Sequence, residues 1–118
     1  MVMNMPANFV NVDSLDSLDR LFEESHHRPV VLFKHSTSCG ISSGVYREVG
    51  LVTGDVNVVV IQTHRDVSNA IASRTGVRHE SPQAIVLRDG KPVYHASHYD
   101  IEAIHIEENL AVPEDRPW

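Results

Sequence analysis

Residues 29–49 read PVVLFKHSTSCGISSGVYREV. The run from Pro29 to His35 is branched and aromatic, with no polar alternation. That is the pattern of a strand buried on both faces. From Cys39 onward, Ile41, Val45 and Val49 recur at i, i+4 and i+8, one face of a helix that Gly50 can close. Between the two lies the polar turn Ser36-Thr37-Ser38, and at its end stands Cys39, the only cysteine of the chain. The stretch therefore predicts a strand, a turn and a helix, with the lone thiol at the junction.

Working outward, DSLDSLDRLFEES (13–25) places Leu15, Leu18, Leu21 and Phe22 at helical spacing. Asp13 or Ser14 can cap this helix, and Arg28-Pro29 ends it. VNVVVIQT (56–63) is a second buried strand. In DVSNAIASRTG (66–76), Asp66 is expected to cap a short helix that Gly76 terminates. QAIVL (83–87) and PVYHA (92–96) flank Asp89-Gly90, a hairpin signal. YDIEAIHIEENL (99–110) predicts a last amphipathic helix starting at Asp100. The order α-β-α-β-α-β-β-α makes the first two strands parallel, joined by a helical crossover, and the last two a hairpin. The expected fold is α/β: a four-stranded mixed sheet flanked by helices, the layout of a thioredoxin-like fold with an extra N-terminal helix. A single domain is expected over residues 9–110, with 1–8 and 111–118 as flexible termini.

The bulk composition narrows the function. The chain has 118 residues, enough for one core and too few for two. A net charge of −6 without a basic run argues against a nucleic-acid or anionic-membrane surface. No apolar run approaches the ~20 residues of a membrane span. The opening MVMNMPANFV has neither a basic start nor a sustained apolar stretch, so a cytoplasmic location is expected. One cysteine can form a disulfide only with another molecule.

At the N-terminus of a helix, the unpaired N–H groups of the first turn and the helix dipole favour an anion. For Cys39 the anion is the thiolate, so its pKa is expected below the ordinary value of about 8.5. Ser42 lies one turn along the same face and can donate to the sulfur. Lys34 and His35 are near in sequence, but strand alternation lets at most one of them face the thiol. A lone cysteine is often only a small buried hydrophobe. The polar turn before Cys39 and the strand-to-helix junction favour a reactive thiol here.

KHSTSCGIS (34–42) and GVRHESPQAIVLRDGKPVYHASHYDI (76–101) resemble the YtxJ/BrxC family of monothiol bacilliredoxins. The resemblance runs from about Ser14 to Leu110. It implies a thioredoxin-like thiol–disulfide oxidoreductase that reduces mixed disulfides between protein cysteines and a low-molecular-weight thiol, bacillithiol or an equivalent. Cys39 matches the nucleophile, Ser42 the serine of the Cys-x-x-Ser motif, and Pro82 a cis-proline facing the thiol and presenting the Ser81 backbone. The family commonly carries Cys-Pro-Ile-Ser, and Gly40 replaces that proline. The candidate catalytic residues are thus Cys39 and Ser42. The candidate substrate-binding residues are Gly40, Ser81, Pro82, Lys34 and Arg78. The small thiol would be a co-substrate, with no tightly bound cofactor and no metal. The expected partners are S-thiolated proteins, the small thiol and an external reductase.

Two other readings stand beside this one. Cys-Gly-Ile-Ser is one residue from the Cys-Gly-Phe-Ser of monothiol glutaredoxins, which carry iron–sulfur clusters with glutathione. VYHASHYD (93–100) lacks the Gly-Gly that grips glutathione in those proteins. The chain could also be a non-catalytic thioredoxin-like binding module. The eight histidines form no zinc pattern with Cys39 and read as surface or structural residues.

Overall fold

The computed structural model describes residues 6–38 and 40–111. It contains β1 (Ala7–Asn11), α1 (Leu15–Glu24), β2 (Val30–His35), α2 (Gly40–Val49) and β3 (Gly54–Val60). These are followed by α3 (Arg65–Thr75), β4 (Gln83–Arg88), β5 (Lys91–Ser97), a one-turn 3-10 helix (His98–Asp100) and α4 (Ala103–Leu110). The strands form one sheet in the order β1-β3-β2-β4-β5. β2 and β3 are parallel, and β4 runs antiparallel to both β2 and β5.

β2 shows why its sequence lacks alternation: it is covered on both faces. Val31 and Phe33 pack with Val45 and Val49 of α2 and Ile106 of α4. Val30 and Leu32 pack with Leu18 and Phe22 of α1 and Val67 and Ile71 of α3. The same alternation sends Lys34 to the α1/α3 face and His35 to the α2 face.

Local signals account for several boundaries. Ser14 caps α1 by accepting the Ser17 N–H at 3.0 Å. Gly76 ends α3 at φ 74°, and Asp89 (φ 52°) and Gly90 (φ 74°) make the left-handed hairpin turn between β4 and β5. That turn is anchored to the end of α1. The Asp89 N–H donates to the Ser25 carbonyl, and the Gly90 N–H to the buried Ser25 hydroxyl, each at 2.8 Å.

Three expectations are corrected. The sheet has five strands, because Ala7–Asn11 pairs in parallel with β3, Ala7 opposite Gly54 through Asn11 opposite Val58. Residues 7 and 8 thus belong to the sheet, and the expected loose segment 1–8 is too long. Residues 1–5 and 112–118 lie outside the described residues. Second, Asp66 does not cap α3. The helix starts two residues earlier, at Arg65, His64 occupies the capping position without a side-chain hydrogen bond, and Asp66 accepts the adjacent Val67 N–H. Third, α4 starts at Ala103 rather than Asp100. A carboxylate of α2 sets this boundary: Glu48 Oε2 accepts the Ala103 N–H at 2.8 Å, a capping partner remote in sequence.

Candidate active site at the end of β2

The strand register brings four ends together. His35 lies opposite Val60, Lys34 opposite Gln83, and Gln83 opposite Ser97. The turn Ser36–Ser38 leaves β2 at this edge, and α2 begins at Gly40. Cys39 itself lies outside the described residues. Its neighbours on both sides of the chain define the setting.

The turn is held from two directions. On the α2 side, the Ser36 N–H donates to Ser42 Oγ at 3.0 Å, and Ser42 Oγ lies 2.8 Å from His35 Nδ1. Ser42 is fully buried. The hydroxyl expected to serve the sulfur is therefore engaged with the backbone and imidazole that precede the thiol. On the β3 side, the Gln62 carboxamide lies against the turn, within hydrogen-bond reach of the Thr37 N–H at 3.3 Å and of the Ser36 and Ser38 hydroxyls at 2.8 and 2.9 Å. Sequence reading missed Gln62. The available signal was a polar side chain just past the carboxyl end of a parallel strand, where open α/β sheets place functional groups.

His35 sits among aromatic rings, 4.9 Å from Tyr46 and 5.7 Å from Phe33 between centroids, while Tyr46 stacks on Phe9 at 4.3 Å. Burial lowers its pKa and favours the neutral ring. Lys34 occupies the other face. It is 1% exposed, and its Nζ lies 3.1 Å from His79 Nδ1. Burial lowers its pKa from 10.5 to about 8. The His79 pKa is lowered by burial and by the positive charges of Lys34 and Arg65, against the opposing charge of Glu80.

The remaining candidates flank β4. The Ser81–Pro82 peptide bond is cis, and Pro82 is buried. The Pro82 carbonyl accepts the His98 N–H at 2.9 Å, with His98 in the left-handed region at φ 55°. Gln83 donates through Nε2 to the Arg78 carbonyl at 2.9 Å. Ser81 Oγ and Gln83 Oε1 are buried without a hydrogen-bond partner among the described residues. Arg78 and Gly40 are exposed. A Cβ built on Gly40 meets nothing within 4 Å, so an alanine side chain has room there. Of the sequence candidates, Gly40 and Ser42 belong to α2, while Lys34, Arg78, Ser81 and Pro82 gather around the start of β4.

This fold recurs among solved structures. One described as an oxidoreductase with a thioredoxin fold shares 30% identity at a TM-score of 0.77, over 85% of this chain and 91% of that one. A thioredoxin variant from Halobacterium salinarum aligns at 18% identity and TM-score 0.63, over 95% of this chain and all of that one. Spinach chloroplast thioredoxin f aligns at 14% and 0.63, over 93% and 98%. The last two show the fold alone. The family described as monothiol bacilliredoxin BrxC matches residues 10–106. This span includes the thiol turn, its Ser42 and Gln62 anchors and the Ser81–Pro82 peptide, and the chain belongs to the monothiol bacilliredoxin family, with a thioredoxin fold.

Proposed function

We propose that this protein is a monothiol thiol–disulfide oxidoreductase that reduces mixed disulfides between protein cysteines and a low-molecular-weight thiol, bacillithiol or an equivalent. The observation carrying this reading is the pinned turn. Ser42 and Gln62 fix the residues that lead to the only cysteine, immediately before the first residue of α2. A thiolate there receives the free N–H groups of the first helical turn.

Cys39 is the nucleophile. Its thiolate attacks the small-thiol sulfur of the mixed disulfide. The Cys39–S–S–R bond forms, the protein–S–S–R bond breaks, and the target leaves as a thiolate that takes a proton from water. A second small thiol, as thiolate, then attacks Cys39–S–S–R. It releases Cys39 and the symmetric small disulfide, which an external reductase returns to thiol. Ser42 acts by positioning: it holds the Ser36 N–H and His35. The Ser81 and Pro82 backbone and Gly40 border the docking site. The reaction is assigned to the cytoplasm, where thiols are kept reduced. The cargo-carrier reading gives way because its distinguishing Gly-Gly is absent after β5.

The test is a protein carrying bacillithiol, glutathione or cysteine in mixed disulfide. Wild-type protein is expected to release the target thiol and gain the mass of the small thiol at Cys39, and Cys39→Ser to do neither. Iodoacetamide alkylation of Cys39 is expected to titrate with a midpoint below about 8.5. No release from any of the three substrates overturns the proposal, as does a purified protein that transfers an iron–sulfur cluster without reducing them.

A further inference from the structure

Lys34 is 1% exposed, and no carboxylate pairs with its ammonium among the described residues. Its one hydrogen-bond partner there is His79 Nδ1, at 3.1 Å. A neutral imidazole satisfies one of the three ammonium donors and none of the charge. Buried charges are ordinarily paired, because an unpaired one is costly to desolvate.

The partner's geometry points outward. Nδ1 accepts from Lys34 and also lies 3.3 Å from Ser68 Oγ, so in the neutral ring the proton sits on Nε2. His79 is exposed, and its Nε2 has no hydrogen-bond partner among the described residues. Arg65, the first residue of α3, is also exposed. It makes no hydrogen bond or ion pair among the described residues, yet it is close enough to bear on the His79 charge. Opposite Lys34 in the β2–β4 register lies Gln83, 1% exposed, with Oε1 unpartnered. In a chain of net charge −6, this is a corner where two cations, Lys34 and Arg65, outnumber the one carboxylate that bears on His79, that of Glu80.

It lies beside the thiol turn. Lys34 and His35 are the last two residues of β2, and Gln62, which holds that turn, stands three residues before Arg65. Pro82 adjoins Gln83. We propose that Lys34, His79 and Arg65 form an anion-receiving corner that binds a carboxylate of the small thiol presented in the mixed disulfide. The assignment rests on the thiol-exchange reading for its ligand, though not for its chemistry. The His79 Nε2–H and the Arg65 guanidinium donate to the carboxylate, and Lys34 beneath supplies fixed charge and holds Nδ1. Binding is proton-linked. An anion stabilises the Lys34 ammonium, so affinity is full below its titration at about 8 and falls as pH rises through that point. The groups facing His79 are Lys34 from β2, Arg65 and Ser68 from α3, and its neighbour Glu80, whose carboxylate competes with the ligand.

Two measurements test this. In the first, one target protein carries either mercaptosuccinate, a dicarboxylate, or 2-mercaptoethanol, which is neutral. Wild-type kcat/KM is expected to favour mercaptosuccinate, and each variant to lower that preference about tenfold, Arg65→Ala by losing one charge-assisted hydrogen bond and Lys34→Met by losing the fixed charge and the hold on His79 Nδ1. The second uses Cys39→Ser, which has no redox chemistry, titrated with succinate while the His79 imidazole is followed by NMR. Saturable shifts at pH 7 that disappear by pH 9, and that Lys34→Met abolishes, are expected. A preference unchanged in both variants, or succinate shifts indifferent to Lys34, overturns the corner. Failure of wild-type protein to reduce either substrate while succinate still binds overturns the thiol-exchange reading and leaves the anion site standing.

Discussion

Ser42 shows how one hydroxyl serves two neighbours. It accepts the buried Ser36 N–H and meets His35 Nδ1. Ser42→Ala leaves both without that partner, and an orphaned buried donor costs about 1–3 kcal/mol. A lower urea midpoint and slower exchange at Cys39 are expected together; equal stability of the two proteins would show that the hydrogen bonds carry no net weight. Gln62 offers a contrast, because it is exposed and holds only the turn. Gln62→Ala is expected to move stability by less than about 1 kcal/mol, as exposed substitutions do, while reducing the exchange rate several-fold through a looser Thr37-Ser38 backbone. A parallel fall in stability and rate would instead make Gln62 a general stabiliser.

Elements meet at points set by a few long-range hydrogen bonds. The β4–β5 turn has its own chemistry in Asp89-Gly90, but its position depends on Ser25 at the end of α1. The Ser25 hydroxyl donates to the Phe22 carbonyl at 2.6 Å and accepts the Gly90 N–H at 2.8 Å. Ser25→Ala is expected to cost about 1–2 kcal/mol, one buried hydroxyl with two hydrogen bonds. It should also speed amide exchange at Gly90 without changing Cys39 reactivity. An unprotected Gly90 amide in the wild type would contradict this tether. α4 is similar: its start is decided by Glu48 on another helix, and no local residue marks it.

At the scale of the whole molecule, Lys34 makes folding pH-dependent. Its folded pKa, about 8, lies below its ordinary 10.5. Between these values the unfolded chain holds a proton that the folded chain has lost, so unfolding takes up a proton and rising pH favours the fold. Below about 8 the penalty is fully present, roughly 3 kcal/mol for a shift of this size. Lys34→Met keeps the buried volume without the charge. It is expected to be the more stable protein at pH 7, with its advantage shrinking from pH 8 to 10.5. Urea unfolding of both proteins across that range measures the difference, in which other titrating groups cancel. A gap independent of pH would mean that Lys34 stays charged throughout.

The sequence by itself determined the strand–turn–helix that holds Cys39 and the parallel pair with its hairpin partner, because branched runs, helical spacing and Asp-Gly turns act locally, and the blocks 34–42 and 76–101 carried the resemblance to the family. Tertiary structure decided the rest. Ala7–Asn11 is a strand only because β3 offers a free edge, and its few residues carry no periodicity of their own. Alternation along β2 puts Lys34 and His35 on opposite faces of the sheet without saying which helices cover each. The packing settled it, as α2 supplies Ser42 for His35 while α3 and the loop before Pro82 supply Ser68 and His79 on the other face. Gln62 holds the thiol turn from a neighbouring strand end. Contacts between residues distant in sequence leave no pattern in one chain read alone, and they are what position this site.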